Sequence, residues 1–261
     1  DLQKATFGKR SNICLDNPYL IIHLHLYDNQ AVLSLQSTVE SLHKRGYRPS
    51  LGNAPLKENL AAGLMKITQW DSSIPLIDLM CGSGTFLIEG VSNTLNIPSI
   101  KKNYLFQNWF DFNESIFNKE IFKIKNNNPI KNLATKQKFS KVIGCEIDRE
   151  VFLQAENNIN LSGFSQYIEI YNKDFSDLKM DSKPGIIVCN PPYGKKLGEE
   201  KDLVELYLKI GVFVKNNLSG WEFWLLSGNP LLTQYLKMKA SLKIPVSNGG
   251  IDCRWIKYSI N

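Results

Sequence analysis

The residues with the most distinctive chemistry are Asn190, Pro191, Pro192 and Tyr193, which follow the apolar run 185–189. Two consecutive prolines cannot donate backbone hydrogen bonds, so a strand over the apolar run must end there. The stiff corner presents two acceptors, the side-chain oxygen of Asn190 and the carbonyl oxygen of Pro191, beside the ring of Tyr193. This arrangement can hold a planar amino group, such as the exocyclic amine of a nucleobase. The alternative is a strand followed by an ordinary Pro-Pro loop, since prolines interrupt many strands.

A second candidate site is the glycine-containing loop at residues 78–85, between an apolar run and a helical pattern. Gly82 and Gly84 allow the backbone to approach a ligand closely. The loop lacks the Gly-Lys-Ser/Thr sequence of a phosphate-binding P-loop, whereas Asp78 can accept a hydrogen bond from a ligand ammonium group. We therefore expect this loop to bind an adenosine cofactor that carries an amino acid. The expected contacts come from Asp78, Cys81, Gly82, Ser83 and Gly84.

The next two predicted strand ends carry further acids. Glu146 ends its strand where a carboxylate can accept hydrogen bonds from both ribose hydroxyls. Asp148 is the alternative, although a residue in that position more often caps the following helix. Ile147 is expected to pack on the adenine face. Asp174 can accept a hydrogen bond from the adenine amino group while Phe175 forms a wall, with a turn role for Asp174 as the alternative.

Strands alternate with helices along most of the chain. Apolar patterns predict strands over 75–80, 141–146, 167–171, 185–189 and 221–226, and helices over 55–69, 85–95, 150–161 and 203–216. This order favours a mostly parallel sheet that is covered on both faces.

Three other segments lie outside this alternation. Residues 20–36 predict a β-hairpin, with Ile22, Leu24 and Leu26 on one face and His23 and His25 on the solvent face. Residues 244–260 predict a closing antiparallel hairpin. Residues 98–140 predict an insertion with a helix near 114–125, followed by a Lys- and Asn-rich segment that favours a solvated loop over a phosphate-binding patch.

Composition excludes several classes of protein. The 261 residues hold no apolar run long enough to span a membrane, and the first residues lack the pattern of a signal peptide. Five scattered cysteines without a Cys-x-x-Cys pair, and three unclustered histidines, favour free thiols in a reducing cytoplasm and no metal site. The net charge of +6 is compatible with a nucleic-acid partner. The first residue is not Met, which indicates a piece of a longer chain.

The order of these motifs resembles that of S-adenosylmethionine-dependent amino-group methyltransferases. The chain is more closely similar to the THUMP-associated RNA guanine-N2 methyltransferases, especially the branch that acts on large-subunit ribosomal RNA. The resemblance covers residues 20–260, and its closer part lies in residues 42–48, 54–62, 78–85, 190–198 and 248–254. The chain departs from the family at Leu79, where proline is usual, and at Lys195 and Lys196, where an acid and an arginine are common.

The resemblance implies an α/β fold: a Rossmann-like class I methyltransferase with a seven-stranded, mostly parallel sheet, a C-terminal antiparallel hairpin and a short N-terminal β-hairpin extension. It implies an extension at residues 1–50 and a catalytic domain at residues 51–261. A THUMP domain would precede residue 1, because residues 1–19 are too few to form one.

The resemblance also implies S-adenosyl-L-methionine as cofactor, RNA as partner and Asn190, Pro191 and Tyr193 as catalytic residues. The expected reaction is methylation of a guanine N2 amine in 23S ribosomal RNA by a cytoplasmic enzyme. Methylation of a transfer-RNA guanine, of DNA adenine N6 or of protein glutamine N5 remains open, because Asn-Pro-Pro-Tyr also occurs in those enzymes. A non-catalytic RNA-binding role is disfavoured by the intact Asn-Pro-Pro-Tyr sequence.

Overall fold

A computed structural model describes residues 2–16, 18–49, 56–98, 103–126, 139–179, 183–193 and 200–260. The chain divides into two compact units, a small one of Asp1–Leu42 and Ser99–Asn127 and a large one of His43–Pro98 and Asn128–Asn261. The division into an extension at 1–50 and a methyltransferase domain at 51–261 stays a prediction.

The described helices are α1 (Leu2–Phe7), α2 (Glu58–Thr68), α3 (Thr85–Thr94), α4 (Glu114–Asn126), α5 (Arg149–Ser162) and α6 (Glu200–Asn217). The described strands are β1 (Ile22–Tyr27), β2 (Gln30–Leu35), β3 (Leu76–Asp78), β4 (Val142–Glu146), β5 (Ile168–Asn172), β6 (Ile186–Cys189), β7 (Glu222–Ser227), β8 (Ala240–Asn248) and β9 (Ile251–Ser259). Short 3-10 helices at Leu105–Asn108, Phe175–Asp177 and Leu232–Leu236 were not predicted from the sequence.

The large unit contains a seven-stranded sheet with the order β5-β4-β3-β6-β7-β9-β8. Strands β3 to β7 are parallel where they pair, and β9 runs antiparallel to both β7 and β8. The predicted mostly parallel sheet, its closing hairpin and the N-terminal hairpin are therefore confirmed.

Successive residues of the central strands lie on opposite faces of the sheet and pack into two separate hydrophobic layers. Leu76 and Val188 belong to a buried cluster with residues of α2 and α3. Ile77 and Ile187, which are their neighbours in sequence, belong to a second cluster with residues of α6. Both faces of the sheet are covered, which is why the central strands read as nearly continuous apolar runs.

The small unit contains α1, α4 and the hairpin of β1 and β2, in which His25 pairs with Val32. His23 and His25 are exposed, as predicted. Ile22, Leu24 and Leu26 share the other face of the hairpin, and they are 57%, 62% and 69% exposed. Alternation shows which side chains share a face but not what covers it, and two strands alone bury little surface.

Several other predictions can be compared with the fold. The insertion helix near 114–125 is confirmed as α4, and the helix at 55–69 is α2. Pro55, the Lys- and Asn-rich stretch 127–138 and the motif residues 194–198 lie outside the described residues. Four of the free cysteines are buried and Cys14 is exposed. Across the described ranges, no helix is long and apolar enough to cross a membrane, and no three His, Cys, Asp or Glu side chains are grouped to hold a metal ion.

Candidate active site

The predicted site residues come from the carboxyl ends of neighbouring parallel strands. Asp78, the last residue of β3, pairs with Gly144 of β4 and Val188 of β6. Glu146 and Asn190 each lie two residues beyond those partners, so the three residues share one edge of the sheet. In open α/β sheets this edge is where ligands bind. We call residues 78–85 with Glu146 the cofactor edge and residues 190–193 the substrate corner, after the roles predicted for them from the sequence.

Asp78 is a buried acid with little compensation from the described part of the chain. Asp78 is 1% exposed, and its Oδ1 accepts a hydrogen bond from the Met80 N–H at 3.2 Å. Burial raises the pKa of Asp78 to about 8, a rise that the Met80 hydrogen bond opposes and the charge of Glu146 increases. A cationic group beside Asp78 would favour its ionised form, which matches the ammonium group assigned to it from the sequence.

Glu146 connects β4 to the glycine loop. Its Oε2 accepts from the Gly82 N–H at 3.0 Å and its Oε1 from the Asp148 N–H at 2.9 Å. Asp148 itself is the N-cap of α5, accepting from the Glu150 and Val151 N–H groups at 2.8 and 3.0 Å. The structure thus places Asp148 in the capping role considered from the sequence and Glu146 at the loop.

The glycine loop is held by its backbone and by close packing behind it. Gly84, with φ of 80°, precedes α3 in the left-handed region, where a side chain would be strained. The Cys81 N–H donates to the Cys145 carbonyl at 2.8 Å. Gly144 of β4 lies against Cys81, since a Cβ there would lie 3.0 Å from Cys81 Sγ and 2.7 Å from Leu87 Cδ1. Cys81 is therefore a buried packing residue under the loop, and burial raises the pKa of its thiol.

Arg48 anchors the loop from outside the sheet, a role that the sequence did not reveal. Its Nη2 donates to Ser83 Oγ at 2.7 Å and also to Thr85 Oγ1. Its Nη1 lies 3.4 Å from Glu58 Oε1, and both side chains are nearly inaccessible, at 3% and 4% exposed. Arg48 stands in the Arg-Gly-Tyr-Arg stretch that carried the family resemblance, which was the available signal.

The residues predicted to surround the adenine differ in solvent exposure and in the contacts they already make. Ile147 is 65% exposed and Phe175 is 3% exposed. Asp174 caps the 3-10 helix through Ser176 and forms an ion pair with Lys209 Nζ at 2.7 Å. Burial tends to raise the pKa of Asp174, but the hydrogen bonds from Lys209 and Ser176 outweigh it and lower that pKa. Asp174 therefore has the turn role that was the alternative from the sequence, and it stands directly before Phe175.

The substrate corner contains an acceptor without an internal donor. Asn190 Oδ1 is buried and has no hydrogen-bond partner among the described residues. Pro191 is also buried, Pro192 is exposed and Tyr193 is half-buried. A buried, unpaired amide oxygen costs free energy unless something donates to it. Unpaired polar groups of this kind need an explanation, and binding of a donor is a direct one.

The ring of Tyr193 is held by the closing hairpin, which the sequence did not predict. Asn248 Nδ2 donates to the Tyr193 hydroxyl at 3.0 Å. A Cβ on Gly228 would lie 3.1 Å from two carbons of the Tyr193 ring and 3.2 Å from Ile251 Cγ2. Gly228 therefore allows the ring to pack against backbone. The sequence indicated this contact only in that Asn248 begins residues 248–254, the last stretch that carries the family resemblance.

Comparisons with known proteins agree with this geometry. The Synechocystis sp. protein named "Putative RNA methyltransferase slr0064" is 37% identical over 100% of this chain and 67% of its own length. The ribosomal RNA large subunit methyltransferase K/L of Marinomonas sp. is 32% identical over 98% of this chain and 36% of its own length. The structure titled "Crystal structure of SMU.472, a putative methyltransferase complexed with SAH" superposes with a TM-score of 0.85 at 25% identity, covering 99% of this chain and 67% of that one.

The chain thus spans from about a third to two thirds of the length of these relatives. The model of the family described as UPF0020, RMKL-like, methyltransferase domain, matches residues 45–257, which include the cofactor edge, the substrate corner and most of the closing hairpin. Together with the identity to slr0064, this match shows that the chain belongs to the RMKL-like methyltransferase domain family.

Proposed function

We propose that this chain catalyses S-adenosylmethionine-dependent methylation of the exocyclic N2 amine of a guanine in RNA, with 23S ribosomal RNA as the substrate. The observation that carries the proposal is the buried, unpaired Oδ1 of Asn190, next to a stacking ring and one strand from the cofactor edge. The names of the relatives, "Putative RNA methyltransferase" and "Ribosomal RNA large subunit methyltransferase K/L", support RNA as the substrate. A cytoplasmic location follows from that substrate and stays a prediction.

The residues at the cofactor edge fit S-adenosylmethionine. Asp78 is a buried carboxylate suited to an ammonium group, and the loop carries no cation that would recognise a phosphate. Glu146 stands at the tip of β4, the position from which an acid accepts hydrogen bonds from ribose hydroxyls. The relative SMU.472 was crystallised with SAH. When bound, S-adenosylmethionine supplies an electrophilic methyl group.

The substrate corner would activate the amine. The lone pair of a guanine N2 amine is delocalised into the ring, which makes the amine a poor nucleophile. Asn190 Oδ1 and the Pro191 carbonyl oxygen accept hydrogen bonds from its two hydrogens and favour a tetrahedral nitrogen, which returns the lone pair to that nitrogen. Tyr193 stacks on the base, which must leave its helix or loop to reach the corner. Positioning of this kind lowers the barrier, so no strong general base is needed before methyl transfer. The amine that has taken the methyl group carries an extra proton, which it then releases to solvent.

Transfer of a radiolabelled methyl group tests the proposal. The chain is incubated with labelled S-adenosylmethionine and, in separate reactions, with large-subunit ribosomal RNA, transfer RNA and double-stranded DNA, followed by nucleoside analysis. We expect label in N2-methylguanosine from ribosomal RNA. Label in N6-methyladenine from DNA, or in N2-methylguanosine from transfer RNA alone, would replace the proposal with one of the other two reactions. Absence of label in all three nucleic acids would contradict RNA methylation by this chain.

A further inference from the structure

A polar cavity of about 950 Å³ adjoins the substrate corner on the side of the closing hairpin. Gly228 and Cys253 line it, and both also contact Tyr193, whose ring packs on Gly228 and whose hydroxyl lies within hydrogen-bond reach of Cys253. Tyr193 and this cavity therefore share a wall. A nucleic acid that presents one base to Tyr193 must continue past the corner, and this cavity is next to it.

The hairpin presents two cations to the cavity. Lys243 of β8 and Arg254 of β9 are both exposed, and within the described part of the chain neither forms an ion pair. Arg254 pairs with Pro245, two residues from Lys243. The two cations are therefore diagonal neighbours on one face of an antiparallel pair, where side chains start about 7–8 Å apart. Both can approach one phosphodiester or two successive ones.

The same face changes character along β9. Ile256 is buried in a cluster with Leu232 and Leu236 of the last 3-10 helix. Two residues earlier the face carries Arg254, and four residues earlier it carries Asp252, both exposed. On this face of β9, the apolar residue Ile256 packs on the 3-10 helix, and the charged residues Arg254 and Asp252 beyond the helix line the cavity.

Asp252 also lines the cavity and adds a hydrogen-bond acceptor to its wall. A carboxylate two residues from Arg254 disfavours a site for a bare anion. It suits a ligand that offers both a phosphate and a hydroxyl donor, and the ribose 2′-hydroxyl is such a donor. Within the described residues no ion pair of Asp252 is found either, so both signs of charge are available to a ligand.

We propose that this cavity binds the ribonucleotide next to the target guanine, with Lys243 and Arg254 on its phosphate and Asp252 on its ribose hydroxyl. The proposal rests on the proposed function, because it takes RNA as the substrate. It adds a contact that fixes the strand on one side of the substrate corner. Phosphate contacts of this kind set register and orientation without reading sequence.

Binding of a fluorescein-labelled, 20-nucleotide single-stranded RNA to the whole chain tests the subsite, with anisotropy measured over a range of salt. We expect K243A/R254A to weaken binding about tenfold and to reduce the slope of log K against log salt by about 0.7, the contribution of one contacted phosphate on a single strand. The matched control is K66A/K215A. Those two exposed lysines end α2 and α6, which lead into the amino ends of β3 and β7, at the opposite edge of the sheet.

The control variant is expected to bind RNA like the unaltered chain. Equal weakening of both variants, or no weakening of K243A/R254A, would overturn the subsite, as would a lack of RNA binding by the unaltered chain. Unchanged affinity for S-adenosylhomocysteine verifies that both variants fold. A second measurement compares RNA with DNA of the same sequence. We expect D252N to reduce the preference for RNA several-fold, and an unchanged preference would remove Asp252 from the subsite.

The labelled-methyl assay distinguishes this failure from that of the proposed function. Methylation of ribosomal RNA with an equal KM for K243A/R254A and the unaltered chain would leave the function standing and exclude the subsite. Weakened RNA binding by K243A/R254A, without methyl transfer to any RNA by the unaltered chain, would exclude the function and retain the binding site.

Discussion

The cofactor edge and the substrate corner lie on neighbouring strands but satisfy their polar groups differently. At the cofactor edge the loop is already bonded within the chain, since Glu146 accepts from Gly82 and Arg48 donates to Ser83 and Thr85. At the substrate corner, Asn190 Oδ1 is buried without a described partner. The loop is thus held within the chain, whereas Asn190 Oδ1 is left to accept a hydrogen bond from the substrate that we propose. Changes at the first should alter stability and cofactor affinity, and changes at the second should alter turnover.

The largest expected effect is on turnover at the substrate corner. N190A removes the buried acceptor, so we expect kcat for RNA methylation to fall on the order of a thousandfold, as for loss of a hydrogen bond made in the transition state. Affinity for S-adenosylhomocysteine, measured by calorimetry, should stay unchanged. The matched control is N216A, an exposed asparagine near the end of α6. Turnover of N190A near that of N216A would contradict the role of the corner.

The next effect is on stability at the cofactor edge. R48A leaves the buried carboxylate of Glu58 without its cation, so we expect the free energy of unfolding in urea to fall by about 3 kcal/mol. K123A is the control, because Lys123 and Glu120 form an ion pair in which both side chains are more than half exposed, and its loss should cost about 0.5 kcal/mol or less. If E58Q added to R48A recovers no stability, the unpaired carboxylate is not the cause of the loss.

Asp78 connects the cofactor edge to the charge of its ligand. D78N keeps the shape of the side chain and removes its charge, so we expect affinity for S-adenosylmethionine to fall about a hundredfold, equivalent to roughly 2.7 kcal/mol for a buried charged hydrogen bond. Calorimetry at neutral pH measures it. Unchanged affinity would exclude a contact between Asp78 and the ammonium group.

The pH dependence of stability should follow from the same residue. The pKa of Asp78 is about 8 in the folded chain against an ordinary value of 3.8. Between these values the unfolded chain ionises Asp78 while the folded chain keeps its proton, so stability without ligand falls as pH rises from 4 to 8. We expect D78N to be more stable than the unaltered chain at pH 7.5 by at least about 1.4 kcal/mol, the equivalent of one pKa unit. The difference should vanish near pH 4, and a difference independent of pH would show that ionisation of Asp78 is not its source.

The smallest expected effect concerns the positioning of Tyr193. N248A removes the hydrogen bond to the Tyr193 hydroxyl, and we expect the KM for RNA to rise about fivefold, as for loss of one neutral hydrogen bond. Y193F removes the hydroxyl group that accepts this hydrogen bond. If the bond is what matters, N248A/Y193F should be no worse than either single variant. Additive losses would show that Asn248 acts on something other than Tyr193.

Most of the fold followed from local patterns. The strands and helices of the large unit were predicted to within a few residues, since their periodicities are local properties of the sequence. The hairpin at 20–36 was also predicted, but its exposed Ile22 and Leu24 were not. What covers an apolar face depends on elements far away in sequence, which alternation does not report.

The sequence by itself determined which polar residues end which strands: Asp78, Glu146, Asn190. Parallel strands present their carboxyl ends at one edge, so these residues had to lie along the same edge once the sheet formed. Only the tertiary structure placed β3 between β4 and β6, paired Arg48 with Glu58 and Ser83, and brought Asn248 to Tyr193, 55 residues away. The physical reason is the distance along the sequence over which each feature is determined. The local hydrophobic pattern sets where a strand ends, whereas these contacts depend on how segments far apart in the sequence pack together.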